Sequence, residues 1–202
     1  MTRVVAVDPR APAAAAVEAA AAVLRADGLV AFPTETFYGL GAAALRPAAV
    51  RRIFDVKGRP EGKPLLVLVD SIAMVERLTT DVPPRARALM DRYWPGALTL
   101  VLRARADVPF EITAGSGTIG VRLSAHAVAR ALVSALGGPV TAPSANLSGR
   151  PAPTTAAEVA AAFGDTLPLV LDGGATPGGR PSTVLDVTVD PPRVIRAGAV
   201  QV

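Results

Sequence analysis

The sequence predicts a mixed α/β fold, and three observations carry that prediction. Short apolar runs alternate with stretches of helical periodicity along most of the 202 residues, the pattern of strands and helices packed in layers. The run at 65–69 is apolar at every position, as a strand covered on both faces must be. Half of the residues are hydrophobic and only 4% are aromatic, so the interior has to be filled by Ala, Val and Leu.

The elements follow in order. Residues 3–8 read as a short strand. A helix is predicted over 12–26, with Pro12 in its first turn and Gly28 just past its end, the asymmetry that helices favour. The apolar strand 29–33 runs into the polar turn Thr34-Glu35-Thr36. A second helix spans 47–56, with Val50, Ile53 and Phe54 on one face. After the strand at 65–69, helices are expected at 71–78 and 83–93, and strands at 98–102 and 118–123. The helix at 125–136 stops at Gly137-Gly138, and a short strand at 140–142 stops at Pro143. A helix over 155–163 takes Thr154 or Thr155 as N-cap, with Glu158 spaced to close a capping box. Strands at 167–171, 183–187 and 194–196 make the end of the chain strand-rich, so some antiparallel pairing is expected there. Neither a repeat nor a linker divides the chain, and 1–202 reads as one domain. The Gly/Pro-rich stretch 172–181 is a loop within it, long enough to be functional.

Composition removes several kinds of chemistry. The chain has no cysteine, which excludes disulfides, thiolate metal sites and Cys nucleophiles. It has one histidine, His126, at the start of a predicted helix, where it reads as a surface or capping residue. Trp94 reads as a packing residue at a helix end. No carboxylates are paired at a spacing that suggests a metal site, so any Mg²⁺ would arrive with a nucleotide and be held by its phosphates. The net charge of +4 permits an anionic partner. Arginine supplies nearly all of the basic side, and the only two lysines, Lys57 and Lys63, fall in one short stretch. No targeting segment is visible: the Ala-rich stretch after Pro12 is broken by Glu18, Arg25 and Asp27, so a cytoplasmic protein without membrane contact is expected.

Polar residues without an ordinary structural excuse collect at strand ends. The segment 33–41 places small hydroxyls and glycines after a strand, where backbone can approach a ligand closely; a plain turn with solvated threonines has the same pattern. The segment 57–64 sets Lys57, Arg59 and Lys63 among glycines and prolines. Arg offers a planar fork and Lys a point charge, a combination suited to a triphosphate, although a Walker loop is missing and a solvated basic loop reads alike. The segment 141–149 ends a strand in hydroxyls and an amide, Ser144 and Asn146 among them; such turns form anion nests, or satisfy their own backbone. Arg122 sits inside a strand between Val121 and Leu123, where a cation is costly unless it meets a ligand anion or an Asp or Glu partner.

Eight blocks, FPTETFYGLG at 32–41, KGRPEGKPL at 57–65, YWPGALTLVL at 93–102, TIGVRLSAH at 118–126, APSANLSGRPAPT at 142–154, LDGG at 171–174, STVLD at 182–186 and IRAG at 195–198, together resemble the YrdC-like family of L-threonylcarbamoyladenylate synthases. The resemblance covers nearly the whole chain and keeps the family order. It implies an open, twisted mixed sheet with flanking helices and a basic concave groove. It also implies condensation of L-threonine, bicarbonate or CO₂, and ATP to threonylcarbamoyl-AMP and pyrophosphate, for N6-threonylcarbamoyladenosine at position 37 of tRNA. Carried over position by position, Lys57 and Arg59 are the catalytic cations. Arg59, Lys63, Thr118, Ser144, Asn146, the backbone near Ala152, and Arg196 face ATP with its Mg²⁺. Thr36, Arg122, Ala142 and Ser182 face L-threonine. Where longer members carry a histidine that touches threonine, this chain has Leu68, so that contact is expected to be absent or apolar. The chain resembles the short form without a C-terminal second domain, and a more open site is expected. tRNA and a threonylcarbamoyl-transferase complex are the further partners the resemblance brings into question. Two other readings stay open on the residues: a paralogue that keeps the fold without the synthase activity, and an RNA-binding module, against which the scarcity of aromatics and of any long basic stripe speaks.

Overall fold

The computed structural model describes residues 2–60 and 62–202; Met1, and Glu61 of the basic block, lie outside the described residues. Along the first half run β1 (Arg3–Ala6), α1 (Ala14–Arg25), β2 (Val30–Pro33), β3 (Tyr38–Gly41), α2 (Pro47–Lys57), β4 (Leu66–Leu68), α3 (Ile72–Leu78), α4 (Pro84–Tyr93) and β5 (Leu98–Arg103). The second half adds α5 (Phe110–Thr113), β6 (Thr118–Arg122), α6 (Ala127–Leu136), β7 (Val140–Thr141), α7 (Ala156–Phe163), β8 (Leu169–Asp172), β9 (Thr183–Asp186) and β10 (Arg193–Arg196), with a single 3₁₀ turn at Gly164–Thr166. Each expected element is present, its ends shifted by a few residues at most. β3 and α5 are additional.

Helix ends follow local chemistry. The Ser71 hydroxyl accepts from the Met74 amide, the His126 ring from the Val128 amide, and Thr155 and Glu158 form the reciprocal capping box. Gly58 and Gly137, at φ +57° and +71°, end α2 and α6 in the left-handed conformation that costs glycine little. Helix α1 buries Val17, Ala20, Ala21 and Leu24, an i, i+3, i+4, i+7 face. It packs on α6, which buries Val128, Ala129, Leu132 and Val133. The small alanines let the two axes approach closely where aromatics are few.

The mixed α/β class holds, but the strands divide into two open sheets where one was expected. The smaller has the order β1-β8-β2-β3, the larger β10-β9-β5-β6-β4-β7. In the larger sheet β6 pairs parallel with β4 and antiparallel with β5, and β10 closes one edge antiparallel to β9. The sheets meet where β3 passes β7, through isolated bridges Gly39↔Ser144 and Ala43↔Val140. The physical reason for the division lies in β3. Its glycines bring backbone too close to Phe32 and Val140 for side chains, and only isolated bridges, not a continuous ladder, join β3 to the segment of β7. A Cβ at Gly41 would lie 2.8 Å from the Phe32 ring and 2.9 Å from a Val140 methyl. This seam carries the segment after β7, because the Leu40 amide donates to the Pro143 carbonyl and the Ala145 amide to the Tyr38 carbonyl, each at 2.8 Å.

Gly41→Ala is therefore expected to destabilise the fold by about 1–3 kcal/mol through overpacking. Urea denaturation monitored by circular dichroism measures this, and an unchanged midpoint would mean that the seam is looser than described.

Candidate active site

Strand ends and one helix end converge on a cavity of about 710 Å³. Helix α2 delivers Lys57, buried at 3% exposure. The left-handed turn at Gly58 halts the helix there and sends the following residues around the cavity mouth. The Lys57 ammonium donates to the carbonyls of Ser144 at 2.5 Å and Asn146 at 2.6 Å, while the Ser148 amide donates back to the Lys57 carbonyl at 2.8 Å. Burial, and secondarily the charge of Arg59, push the ammonium pKa down to about 8. Arg59 reaches the Pro64 carbonyl at 3.0 Å through Nη2, and its buried Nε has no partner among the described residues. Burial lowers its pKa from the usual arginine range. Lys63 lies exposed at the rim.

Alternation along β6 turns Thr118, Gly120 and Arg122 to one face, and all three line the cavity. Arg122 is the most constrained of them. Its Nε donates to Oε1 of Glu35 at 3.1 Å, Nη2 stands 2.8 Å from the same oxygen in an ion pair, and Nη2 donates to the Thr36 hydroxyl at 3.5 Å. The Ser124 hydroxyl donates to the other Glu35 oxygen. Burial alone would raise the Glu35 carboxyl, but the Arg122 charge and hydrogen bond, with that of Ser124, hold it below the usual carboxylate range. Thr36 sits in a hydroxyl pair with Thr34 at 3.0 Å. On the other side of β5, the buried Ser182 hydroxyl meets Thr99 at 2.9 Å and accepts from Arg196 at 3.0 Å. Burial, and then the neighbouring charge of Arg122, lower the Arg196 pKa, so the cations in the cavity press on one another.

The structure brings nearly all the sequence-derived residues to this wall: Lys57, Arg59, Lys63, Thr118, Ser144, Asn146, Ala152 and Arg196 on the side assigned to nucleotide, and Thr36, Arg122, Ala142 and Ser182 on the side assigned to amino acid. Leu68 stands in register with Arg122 across β4 and β6; it is fully buried in the core and does not line the cavity. Glu35 and Thr99 were missed as site residues. Glu35 reads in the sequence as part of a polar turn, and Thr99 as an interior strand position. His126 caps α6 and Trp94 donates to the Leu98 carbonyl at 2.7 Å, the structural roles expected of them. Among the described residues no cluster of three or more His, Asp or Glu is placed to hold a metal ion. Behind the cavity wall, the Glu35 carboxylate is engaged by Arg122 and Ser124.

Comparison with known proteins gives a consistent result. The family model covering Sua5, YciO and YrdC, described as Telomere recombination, matches residues 22–198. A threonylcarbamoyl-AMP synthase of Pyrococcus abyssi is 48% identical over 179 residues, covering 89% of this chain and 53% of the relative. One of Bacillus subtilis is 46% identical over 182 residues, covering 90% and 53%. The chain thus spans about half the length of these curated relatives. A crystal structure of P. abyssi Sua5 complexed with L-threonine superposes with a TM-score of 0.94 at 45% identity, covering 98% of this chain and 58% of that one.

Replacing Lys57 by Met removes the charge that ties α2 to the Ser144–Asn146 carbonyls. Hydrogen exchange at the Ser148 amide should then quicken while the core of β5 and β6 stays protected; equal protection in both proteins would show that the lysine does not hold this loop.

Proposed function

This chain belongs to the Sua5, YciO and YrdC family, and from that premise we propose that it is an L-threonylcarbamoyladenylate synthase, condensing L-threonine, bicarbonate or CO₂, and ATP to threonylcarbamoyl-AMP and pyrophosphate. One observation carries the reading: a cation cluster suited to a polyphosphate and an arginine–hydroxyl cluster suited to an amino acid line the same cavity. The relatives from P. abyssi and B. subtilis, which are threonylcarbamoyl-AMP synthases by name, support it.

In this reading the free donor of Arg122 takes the threonine α-carboxylate, and Thr36 and Ser182 supply hydroxyls to the rest of the amino acid. The threonine amine, having released its ammonium proton to water, attacks CO₂; a C–N bond forms as one C=O π bond opens onto oxygen, and a second N–H proton leaves to water to give the carbamate. A carbamate oxygen then attacks the α-phosphorus of ATP in line, a P–O bond forms, and the bond to pyrophosphate breaks. No protein nucleophile enters. Lys57, Arg59 and Lys63 hold the phosphates and offset the charge that gathers on the leaving pyrophosphate, so the catalysis is placement and electrostatics. Mg²⁺ would arrive with ATP and be held mainly by its phosphates, the Glu35 carboxylate being committed to Arg122 and Ser124. The product would pass to a separate transferase acting on tRNA. Among the described residues no helix is long and apolar enough to cross a membrane, which agrees with a cytoplasmic role.

Arg59→Ala should leave the fold intact and slow pyrophosphate release by on the order of a hundredfold or more; near-normal release would remove Arg59 from the mechanism. Release that ignores both threonine and bicarbonate would instead favour a paralogue without the synthase activity. The pH profile supplies a further check. Because the folded Lys57 pKa lies near 8, below the ordinary lysine value, the ammonium is fully charged under that pH and is lost above it. kcat/KM for ATP should fall as pH rises through about 8, and a flat profile well into the alkaline range would contradict the role of that charge.

A further inference from the structure

Arg122 is almost wholly buried, at 5% side-chain exposure, next to a second cation, Arg196. A guanidinium in that setting needs a fixed counter-charge, and the structure supplies one from behind. Glu35 does not line the cavity. Both of its oxygens are used: Oε1 accepts from Nε of Arg122 and pairs with Nη2 at 2.8 Å, and Oε2 accepts from the Ser124 hydroxyl. Ser124 is braced in turn. Its hydroxyl accepts from the His126 amide at 3.1 Å, and its carbonyl accepts from Arg130 at 3.0 Å, which ties the group to the start of α6. The remaining donor of Arg122, Nη1, has no partner among the described residues, while the side chain forms part of the cavity wall.

We propose that Glu35 is a positioning residue for the amino-acid substrate: by occupying Nε and Nη2 it fixes the Arg122 plane and leaves Nη1 as the donor presented to an α-carboxylate. The inference rests on the amino-acid reading of the cavity given above and deepens it. Glu35 touches neither substrate. Its effect passes through Arg122, so it should be felt in amino-acid affinity and hardly at all in the handling of ATP.

The test compares Glu35→Gln, Glu35→Asp and Ser124→Ala with the unaltered protein. It uses steady-state kinetics and calorimetric titration with L-threonine in the absence of ATP. Glu35→Gln should raise both KM and Kd for L-threonine about tenfold or more, from the loss of a charged hydrogen-bond partner. KM for ATP should stay within about twofold. Glu35→Asp should recover part of the loss, and Ser124→Ala should shift L-threonine affinity in the same direction by less. Unchanged L-threonine affinity in a folded Glu35→Gln protein, or equal rises for threonine and ATP, overturns the proposal. Should Glu35→Gln fail to fold, unchanged affinity in Ser124→Ala overturns it. If the unaltered protein binds L-threonine but releases no pyrophosphate, the synthase reading fails and the titration still decides the role of Glu35. If it binds no L-threonine, both fail.

Discussion

The Lys57 ammonium, buried at the end of α2 and bonded to the Ser144 and Asn146 carbonyls, sets the constraint from which the site is built. Removing an ammonium from water costs several kcal/mol, and two hydrogen bonds to a charged donor return roughly 1.5–3 kcal/mol each. The offset is incomplete, and the lowered pKa is its visible remainder. What results is a cation held in a fixed place with an unmet demand for negative charge. The same logic recurs at Arg59, whose buried Nε is unpartnered among the described residues, and at Arg196, pressed by burial and by Arg122. Among the described residues these cavity walls hold more cations than anions, which is what the proposed polyphosphate ligand requires.

The two-sheet architecture makes this convergence feasible. The cations after α2 come from one crossover, the Ser-Ala-Asn turn from the end of β7, and Arg122 from the end of β6. The seam of β3 against β7 fixes the turn relative to Thr36 through backbone alone. Functional side chains thus sit at strand ends, on rigid supports, and the amino-acid side carries its own counter-ion in Glu35. That division leaves the nucleotide side short of negative charge and the Arg122 pocket balanced, which suits one ligand of high negative charge and one of zero net charge.

Much of this was legible in the sequence. The continuous apolar run at 65–69, the Thr155–Glu158 spacing and the Gly137-Gly138 stop each named an element that formed. Lys57, Arg59, Ser144 and Asn146 stood out because their residue types lack a structural reason at strand and helix ends. β3 was not legible, because Tyr38-Gly39-Leu40-Gly41 carries two glycines in four residues, a composition that disfavours strands when read locally. Only the third dimension shows why glycine is required there, against Phe32 and Val140. Arg122 left two outcomes open, a ligand anion or an acidic partner, and the fold uses Glu35 as the partner while keeping one donor toward the cavity.

The central claim is that one cavity grips a polyphosphate and an amino acid side by side. A crystal structure of the protein with a non-hydrolysable ATP analogue and L-threonine tests it most directly. The account predicts phosphate oxygens within hydrogen-bond reach of Arg59 and of the Ser144–Asn146 turn, with the threonine carboxylate on Nη1 of Arg122 in the same cavity. Density for the analogue on another face, or threonine bound with Arg122 unengaged, would contradict it.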